Sequence, residues 1–346
     1  MATPALERYT KKKVIPFVPD PFRVSRMERP IIATISGTGS YVPVRIVSND
    51  EFTRTLDTSD EWIISRTGIR ERRHAGPHDT AASMGVQAAR AALTAAGIVS
   101  DELDLIICAT VTPDLMCPST ACLIQAELGC RTIPAFDLSA ACSGFLYALS
   151  VADQYIRTGS AKSVLVVGAE VLSRISDFTD RNTCILFGDG AGAVVLTPSK
   201  DPKRGILNIR LFADGSRRDL IRVPSKVTPD IGYLQMNGRE VFKFAVTTLR
   251  AQVQLALDDC KQLGIELAVI VPHQVNVRVI DAALEGLGFP ADRVVVNLDK
   301  YGNTSAASVP IALDEAVRAG RCGPGDTLLL VAFGGGLTWS SALVTL

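Results

Sequence analysis

The chain has 346 residues, about two domains' worth at a typical ~150 residues each, and 47 % of them are apolar, which supplies a large core and excludes wholesale disorder. Thirty-six Lys and Arg balance 36 Asp and Glu, so no binding to nucleic acid or an anionic membrane through bulk charge is expected. The eight cysteines form no CxxC pair, and His74, His78 and His273 do not cluster with them, so neither a metal site nor a disulfide framework is expected. Reduced thiols point to a cytoplasmic protein. No run approaches the ~20 apolar residues of a membrane span, and no apolar secretory segment opens the sequence.

Residues 1–30 carry seven basic and three acidic residues, net +4, with five prolines that break any long helix. They read as an extended tail rather than a docking arm. From Ile31 the pattern alternates strand and helix. IIATISGTG reads as a strand, and TSDEWIISRTG as a short helix capped by Thr58 or Ser59 and stopped at Gly68. An Ala-rich helix is predicted over 80–96, followed by the strand LDLIICAT, a helix over 118–128, the strand IPAFDLS and a helix over 141–157. The strands KSVLVVGAE and GAGAVVLTP follow. The second half predicts a helix over 238–263, the strand ELAVIVPHQ, a helix over 277–287, the strand DRVVVNLD, a helix over 305–319, and the strands DTLLLVAFG and WSSALVTL.

Several segments match across the halves: LDLIICAT with LAVIVPHQ, AFDLSAAC with VNLDKYGN, KSVLVVGAE with DTLLLVAFG, and GAGAVVL with SSALVTL. In that register Cys142 lies six residues after Phe136, and Asn303 six after Asn297. Two similar α/β halves follow, at 31–205 and 206–346.

Cys142 follows an apolar strand and opens a helix whose core face is Phe145, Leu149, Ala152 and Ile156. A thiol at a helix N-terminus meets the positive end of the dipole, which favours the nucleophilic thiolate. His273 and Asn303 also stand at strand ends, where sites gather in α/β sheets. The run Phe333–Gly336 lets backbone approach a ligand and aim an N–H at an oxyanion. The glycines of GTGS (37–40) and GDGAG (188–192) complete no dinucleotide fingerprint. Cys, His and Asn in that order also occur in papain-like hydrolases, but the duplicated α/β pattern argues against that reading.

The motifs DTSDEWIISRTGIRERR, DLSAACSGFLYALSVADQYI, FGDGAGAVVL, VPHQVN, YGNTSAASVP and AFGGGLTW resemble those of the β-ketoacyl-acyl carrier protein synthase III family. The resemblance runs from about Ile31 to Leu346 and implies a thiolase-like α/β fold. That fold has two duplicated βαβαβαββ halves in a five-layered α-β-α-β-α core. It implies initiation of fatty-acid synthesis by a decarboxylating condensation of an acyl-CoA with malonyl-acyl carrier protein. It implies a homodimer with coenzyme A thioesters as substrates and no permanently bound cofactor. By the resemblance Cys142 is the nucleophile, and His273 and Asn303 bind the malonyl thioester oxygen. The amides of Cys142 and Gly335 form an oxyanion hole, with Phe333 beside the thiol. Thr58, Trp62, Arg66, Arg181, Arg239 and Phe242 are expected at coenzyme A, with Trp62 and Arg181 sandwiching adenine. Lys243 and Arg278 are expected to dock the carrier.

Three departures stand out. Cys117 replaces a Phe that the dimer partner supplies to the acyl pocket, Arg239 replaces an Asn near the coenzyme A groove, and Glu285 with Gly286 replaces paired lysines. Alternatives are a relative in specialised biosynthesis, with malonyl-CoA or an unusual starter, and a non-catalytic acyl-CoA-binding protein.

Overall fold

The structure is a computed structural model and describes residues 31–199, 201–225 and 232–346. The basic arm 1–30 lies outside the described residues. The first half runs β1 (Ile32–Tyr41), β2 (Ile46–Ser48), α1 (Asn49–Thr53), α2 (Asp60–Thr67), β3 (Glu71–Arg73), α3 (Ala81–Ala96), β4 (Leu105–Ala109), α4 (Thr120–Leu128), β5 (Ala135–Leu138), α5 (Gly144–Arg157), β6 (Val164–Val171) and β7 (Asp189–Ser199). The second runs β8 (Gly205–Ala213), β9 (Ile221–Arg222), β10 (Gln235–Met236), α6 (Gly238–Leu263), β11 (Leu267–Pro272), α7 (Val277–Leu284), α8 (Leu298–Tyr301), α9 (Ser308–Arg318), β12 (Thr327–Gly334) and β13 (Thr338–Thr345).

Helix ends follow their local chemistry. The Ser59 hydroxyl accepts from the Trp62 amide at the start of α2, and Gly68 ends that helix with a left-handed φ of 83°. Thr80 and Ser83 form a reciprocal capping box on α3. The small residues of α3 let it lie directly on β1. A Cβ on Gly37 or Gly39 would collide with the carbonyls of Ala92 and Ala88, so the glycines of GTGS serve helix–strand packing.

The two main sheets have orders β1-β7-β6-β4-β5 and β11-β12-β13-β8. In the first, β4 is parallel to β5 and β6, while β7 runs antiparallel to β6 and β1. The second repeats this: β11 and β12 are parallel, and β13 is antiparallel to β12 and β8. Helices α5 and α9 fill the space between the sheets, with Phe145, Leu149, Val309 and Leu313 against Ile107, Val166, Val271 and Leu330. Helix α3 packs outside the first sheet with Ile124 of α4, and α6 and α7 outside the second. The result is five layers with a continuous core in the middle one. We propose that the halves divide at 205/206, at the start of β8.

Three readings of the sequence change. DRVVVNLD is not a strand: Val294 makes one parallel bridge to Ile270, and a short 3₁₀ turn spans Ala291–Arg293. The buried Gln274 side chain replaces strand pairing there, donating to the Val295 carbonyl and accepting from the Asn297 amide. Conversely, β8 has no counterpart in the sequence reading. Its polar Asn208 and Arg210 mask the strand pattern; both bind Asp259 on α6. Helix α7 also stops at Leu284 instead of continuing to 287, and Arg250 caps its end by donating to the carbonyls of Ala282 and Glu285.

Candidate active site

Cys142 sits in a 3₁₀ turn, Ala141–Ser143, between β5 and α5. Ala141 has φ +47°, an uncommon value for a residue with a Cβ, and it turns the chain sharply so that Cys142 meets the helix start. The other half makes the same turn: Ser305 has φ +48° and opens the 3₁₀ turn Ser305–Ala307 before α9. Matching the two turns puts Cys142 opposite Ala306. The register read from the sequence, with Cys142 opposite Asn303, is therefore off by three residues, because the loops after the paired segments differ in length.

Near neighbours position each of the three polar residues. The Asn303 carboxamide oxygen accepts from the Ser305 amide at 2.8 Å, which leaves its NH₂ as the group offered outward. The Asn303 backbone is held by Leu186 and Gly188. His273 is fully buried at the end of β11, and its Nδ1 lies 2.6 Å from the Ser308 hydroxyl at the start of α9. The Phe333 ring stands edge-on to the His273 ring at 5.5 Å. Gly334 lies against Cys142 so closely that a Cβ there would be 2.6 Å from the Cys142 amide nitrogen. Gly335 follows in the turn between β12 and β13, and its carbonyl accepts from the Thr338 hydroxyl.

The electrostatics differ from the simple helix-dipole expectation. Burial pushes the Cys142 thiol up to about 12; a Ser305 hydrogen bond works against this and the charge of Glu170 adds to it. Burial also holds His273 down to about 3, so its imidazole is neutral at ordinary pH. The sequence reading missed Ser305, Ser308 and Glu170. Only Glu170 left a signal: a lone acid in the apolar strand VLVVGAEV, every residue of which is buried.

The expected coenzyme A residues divide into two groups. On α2, the Trp62 ring has the Arg181 guanidinium 5.0 Å and the Arg66 guanidinium 5.9 Å from its centre. Arg181 also donates to the Asp57 carbonyl. An adenine between Trp62 and Arg181 needs about 7 Å, twice a 3.5 Å contact, so Arg181 must swing outward; its side chain is 41 % exposed. The Thr58 hydroxyl is buried and finds no partner among the described residues. On α6, Arg239 is exposed and Phe242 is half-buried beneath the Arg278 guanidinium, 5.9 Å away. Lys243 is paired with Glu240 at 2.8 Å, which offsets its charge. Cys117 is exposed beside Met116, which is 81 % exposed. Among the described residues no group of three His, Cys, Asp or Glu could hold a metal ion, and no helix is long and apolar enough to cross a membrane.

Comparison with known proteins agrees with this geometry. Residues 136–215 match the profile of 3-oxoacyl-(acyl-carrier-protein) synthase III, and residues 261–346 match its C-terminal profile. The β-ketoacyl-(acyl-carrier-protein) synthase III of Xanthomonas campestris pv. campestris is 52 % identical over 325 residues, covering 92 % of this chain and 99 % of that protein. The crystal structure of 3-oxoacyl-(acyl-carrier-protein) synthase III from Aquifex aeolicus is 49 % identical with a TM-score of 0.85, covering 91 % of this chain and all of that one. A priming β-ketosynthase of a polyketide pathway is 39 % identical with a TM-score of 0.85, covering 92 % of this chain and 98 % of that one. The chain therefore belongs to the 3-oxoacyl-(acyl-carrier-protein) synthase III family, acyltransferases of thiolase fold that initiate fatty-acid synthesis by condensation.

Proposed function

We propose that Cys142 takes an acyl group from an acyl-CoA and passes it to the enolate formed from malonyl-acyl carrier protein. The Cys142 sulfur attacks the thioester carbonyl and coenzyme A leaves as its thiol. Malonyl then loses CO₂, its enolate attacks the acyl-enzyme carbonyl, and the Cys142 sulfur departs and is protonated. The products are 3-oxoacyl-acyl carrier protein, coenzyme A and CO₂. Loss of CO₂ supplies the carbanion, so no resident cofactor is required. His273 Nε2–H and the Asn303 NH₂ donate to the malonyl thioester oxygen as charge develops on it, and the amides of Cys142 and Gly335 receive the acyl oxygen. The observation that carries this reading is the Asn303 carbonyl tied to Ser305, which turns the amide's donors outward.

Trp62, Arg66, Arg181, Thr58, Arg239 and Phe242 would hold coenzyme A, and Lys243 and Arg278 an acidic carrier. A second subunit would cover Leu115, Met116 and Cys117, which are exposed in one chain. Eight unpaired cysteines fit a cytoplasmic site of action. One observation favours a second reading, a specialised pathway with an unusual starter: the likeness to a polyketide priming synthase. The test is intact mass after mixing with acyl-CoAs of increasing length. An adduct that is absent in Cys142→Ala supports the reading. No adduct in the parent would indicate a non-catalytic binder, and a preference for unusual starters the specialised pathway.

A further inference from the structure

The two donors proposed for decarboxylation come from separate segments, His273 from the end of β11 and Asn303 from the loop after α8. Their spacing is set by whatever ties those segments together. Helix α9 is common to both. Its first residue, Ser308, lies 2.6 Å from His273 Nδ1. Glu315 stands seven residues further on, about two turns of 3.6 residues and so on the same face, and none of the steps above uses it.

Glu315 receives one side-chain hydrogen bond on each carboxylate oxygen. Asn297 Nδ2 donates to Oε2 at 2.7 Å, and the Tyr301 hydroxyl donates to Oε1 at 2.5 Å. Asn297 immediately precedes α8 and Tyr301 is its last residue, so one carboxylate bridges both ends of that short helix. The Asn297 backbone is tied in turn to the residue beside His273: its amide donates to Gln274 Oε1 at 2.9 Å. Gln274 is 1 % exposed, and its Nε2 donates to the carbonyls of Pro272 and Val295, which holds that side chain in place. At the other end only Gly302 separates Tyr301 from Asn303. Gly302 lies against the Leu186 carbonyl, where a Cβ would stand 2.7 Å away, so little room is left there to absorb a shift of Tyr301. A chain of side chains thus runs from Gln274 through Asn297, Glu315 and Tyr301, with His273 beside its first member and Asn303 two residues past its last.

We propose that Glu315 is a positioning residue for decarboxylation: by clamping Asn297 and Tyr301 it fixes α8, and so sets where the Asn303 NH₂ stands relative to His273. Two donors converge on it, and a carboxylate offers each an acceptor. The neighbouring acid cannot replace it, because Asp314 is buried and accepts from Thr38 and Ser40 on β1 and from Arg318. Cys142 is placed by other elements, the Ala141–Ser143 turn and Gly334, so its acylation does not depend on the clamp.

The proposal rests on His273 and Asn303 as the donor pair, and Asn303→Ala tests that reading separately. Two rates are measured on each protein: acylation of Cys142 by acetyl-CoA, read by intact mass, and CO₂ release from malonyl-acyl carrier protein by the pre-acylated protein. Glu315→Ala should slow CO₂ release on the order of 10²-fold, the effect of a misplacement of about 1 Å, with acylation at the parent rate. Tyr301→Phe keeps the ring and loses only the hydroxyl, so it reads the clamp even where Glu315→Ala fails to fold. It should slow CO₂ release on the order of 10-fold, the equivalent of one hydrogen bond to a charged group. Joined to Asn303→Ala, either substitution should slow CO₂ release no further, because the group being positioned is gone, whereas independent effects multiply. Parent-like CO₂ release in Tyr301→Phe or in folded Glu315→Ala, equal slowing of acylation and CO₂ release, or multiplied effects with Asn303→Ala would overturn the clamp. Parent-like CO₂ release in Asn303→Ala would instead overturn the donor pair.

Discussion

Asn303 and His273 owe their usefulness to partners that pin one end of each side chain. Asn303 spends its carbonyl oxygen on the Ser305 amide, so only N–H groups remain for a ligand. For His273 Nε2 to donate, Nδ1 must accept, which makes the Ser308 hydroxyl its donor. Removing that donor leaves a buried imidazole free to take the wrong tautomer. Ser308→Ala is therefore expected to slow malonyl decarboxylation about 5- to 150-fold, the equivalent of about 1–3 kcal/mol for an unsatisfied buried group. The check is CO₂ release from pre-acylated protein, and Ser308→Thr should recover most of the loss. An unchanged rate in Ser308→Ala would mean that Ser308 does not set the tautomer. His273 could be picked out because it stands at a strand end, and Asn303 because it lies in a short polar motif, although α8 and not the expected strand precedes it. Ser308 could not: one more small residue in a run of them, its partner is 35 positions away.

Two helices of this fold, α3 and α4, are anchored at their first turns by carboxylates from elsewhere in the chain. Asp137 on β5 accepts from the Thr120 and Ala121 amides at 2.7 and 2.8 Å, tying the start of α4 to the strand that leads to Cys142. Asp114 does the same for α3, accepting from Thr80, Ala81 and Ala82. Both satisfy amides that no helical carbonyl can reach and complement the dipole. Asp137→Ala should lower stability by about 0.5–2 kcal/mol, the usual range for a lost N-terminal cap, read as a shift in the urea midpoint. An unshifted midpoint would mean that water replaces the carboxylate at no cost. A cap within a few residues could be read from the sequence: Thr58 or Ser59 is expected for α2, and Ser59 is the one that caps it. The anchors across loops could not, since nothing local to α3 or α4 announces them.

At the scale of the whole molecule, the duplicated halves bring two similar turns, one bearing Cys142 and one following Asn303, to the middle of a five-layered core. The exposed run Leu115, Met116 and Cys117 projects away from that core. In the proposed dimer Cys117 would meet the partner's acyl tunnel, where a thiol leaves more room than a phenyl ring. Each further CH₂ buried there gains ~0.8 kcal/mol, so the parent should accept starters longer than acetyl. Cys117→Phe should suppress the long starters and spare acetyl-CoA, as measured by acylation of Cys142 across chain lengths. A parent restricted to acetyl-CoA, or an unchanged profile in the variant, would remove Cys117 from pocket depth. The repeat itself was visible as paired apolar segments. Its register at the site was not, because matching by sequence alone put Asn303 opposite Cys142 whereas the backbone turns put Ala306 there.

The sequence by itself determined the order of most elements, the bounds of α6 at Gly238–Leu263, the stop of α2 at Gly68 and the buried face of α5. These follow from periodicity and capping, which act over a few residues. It also singled out Cys142, His273 and Asn303, the first two at strand ends and Asn303 in a short polar motif that follows α8. Tertiary structure alone decided the protonation chemistry. Burial raises the Cys142 thiol, against lowering hydrogen bonds from Ser305 and from backbone at the turn, and the carboxylate that adds to the rise lies on β6. Charge and solvation depend on everything within a few ångströms in space, and folding gathers those neighbours from distant parts of the chain.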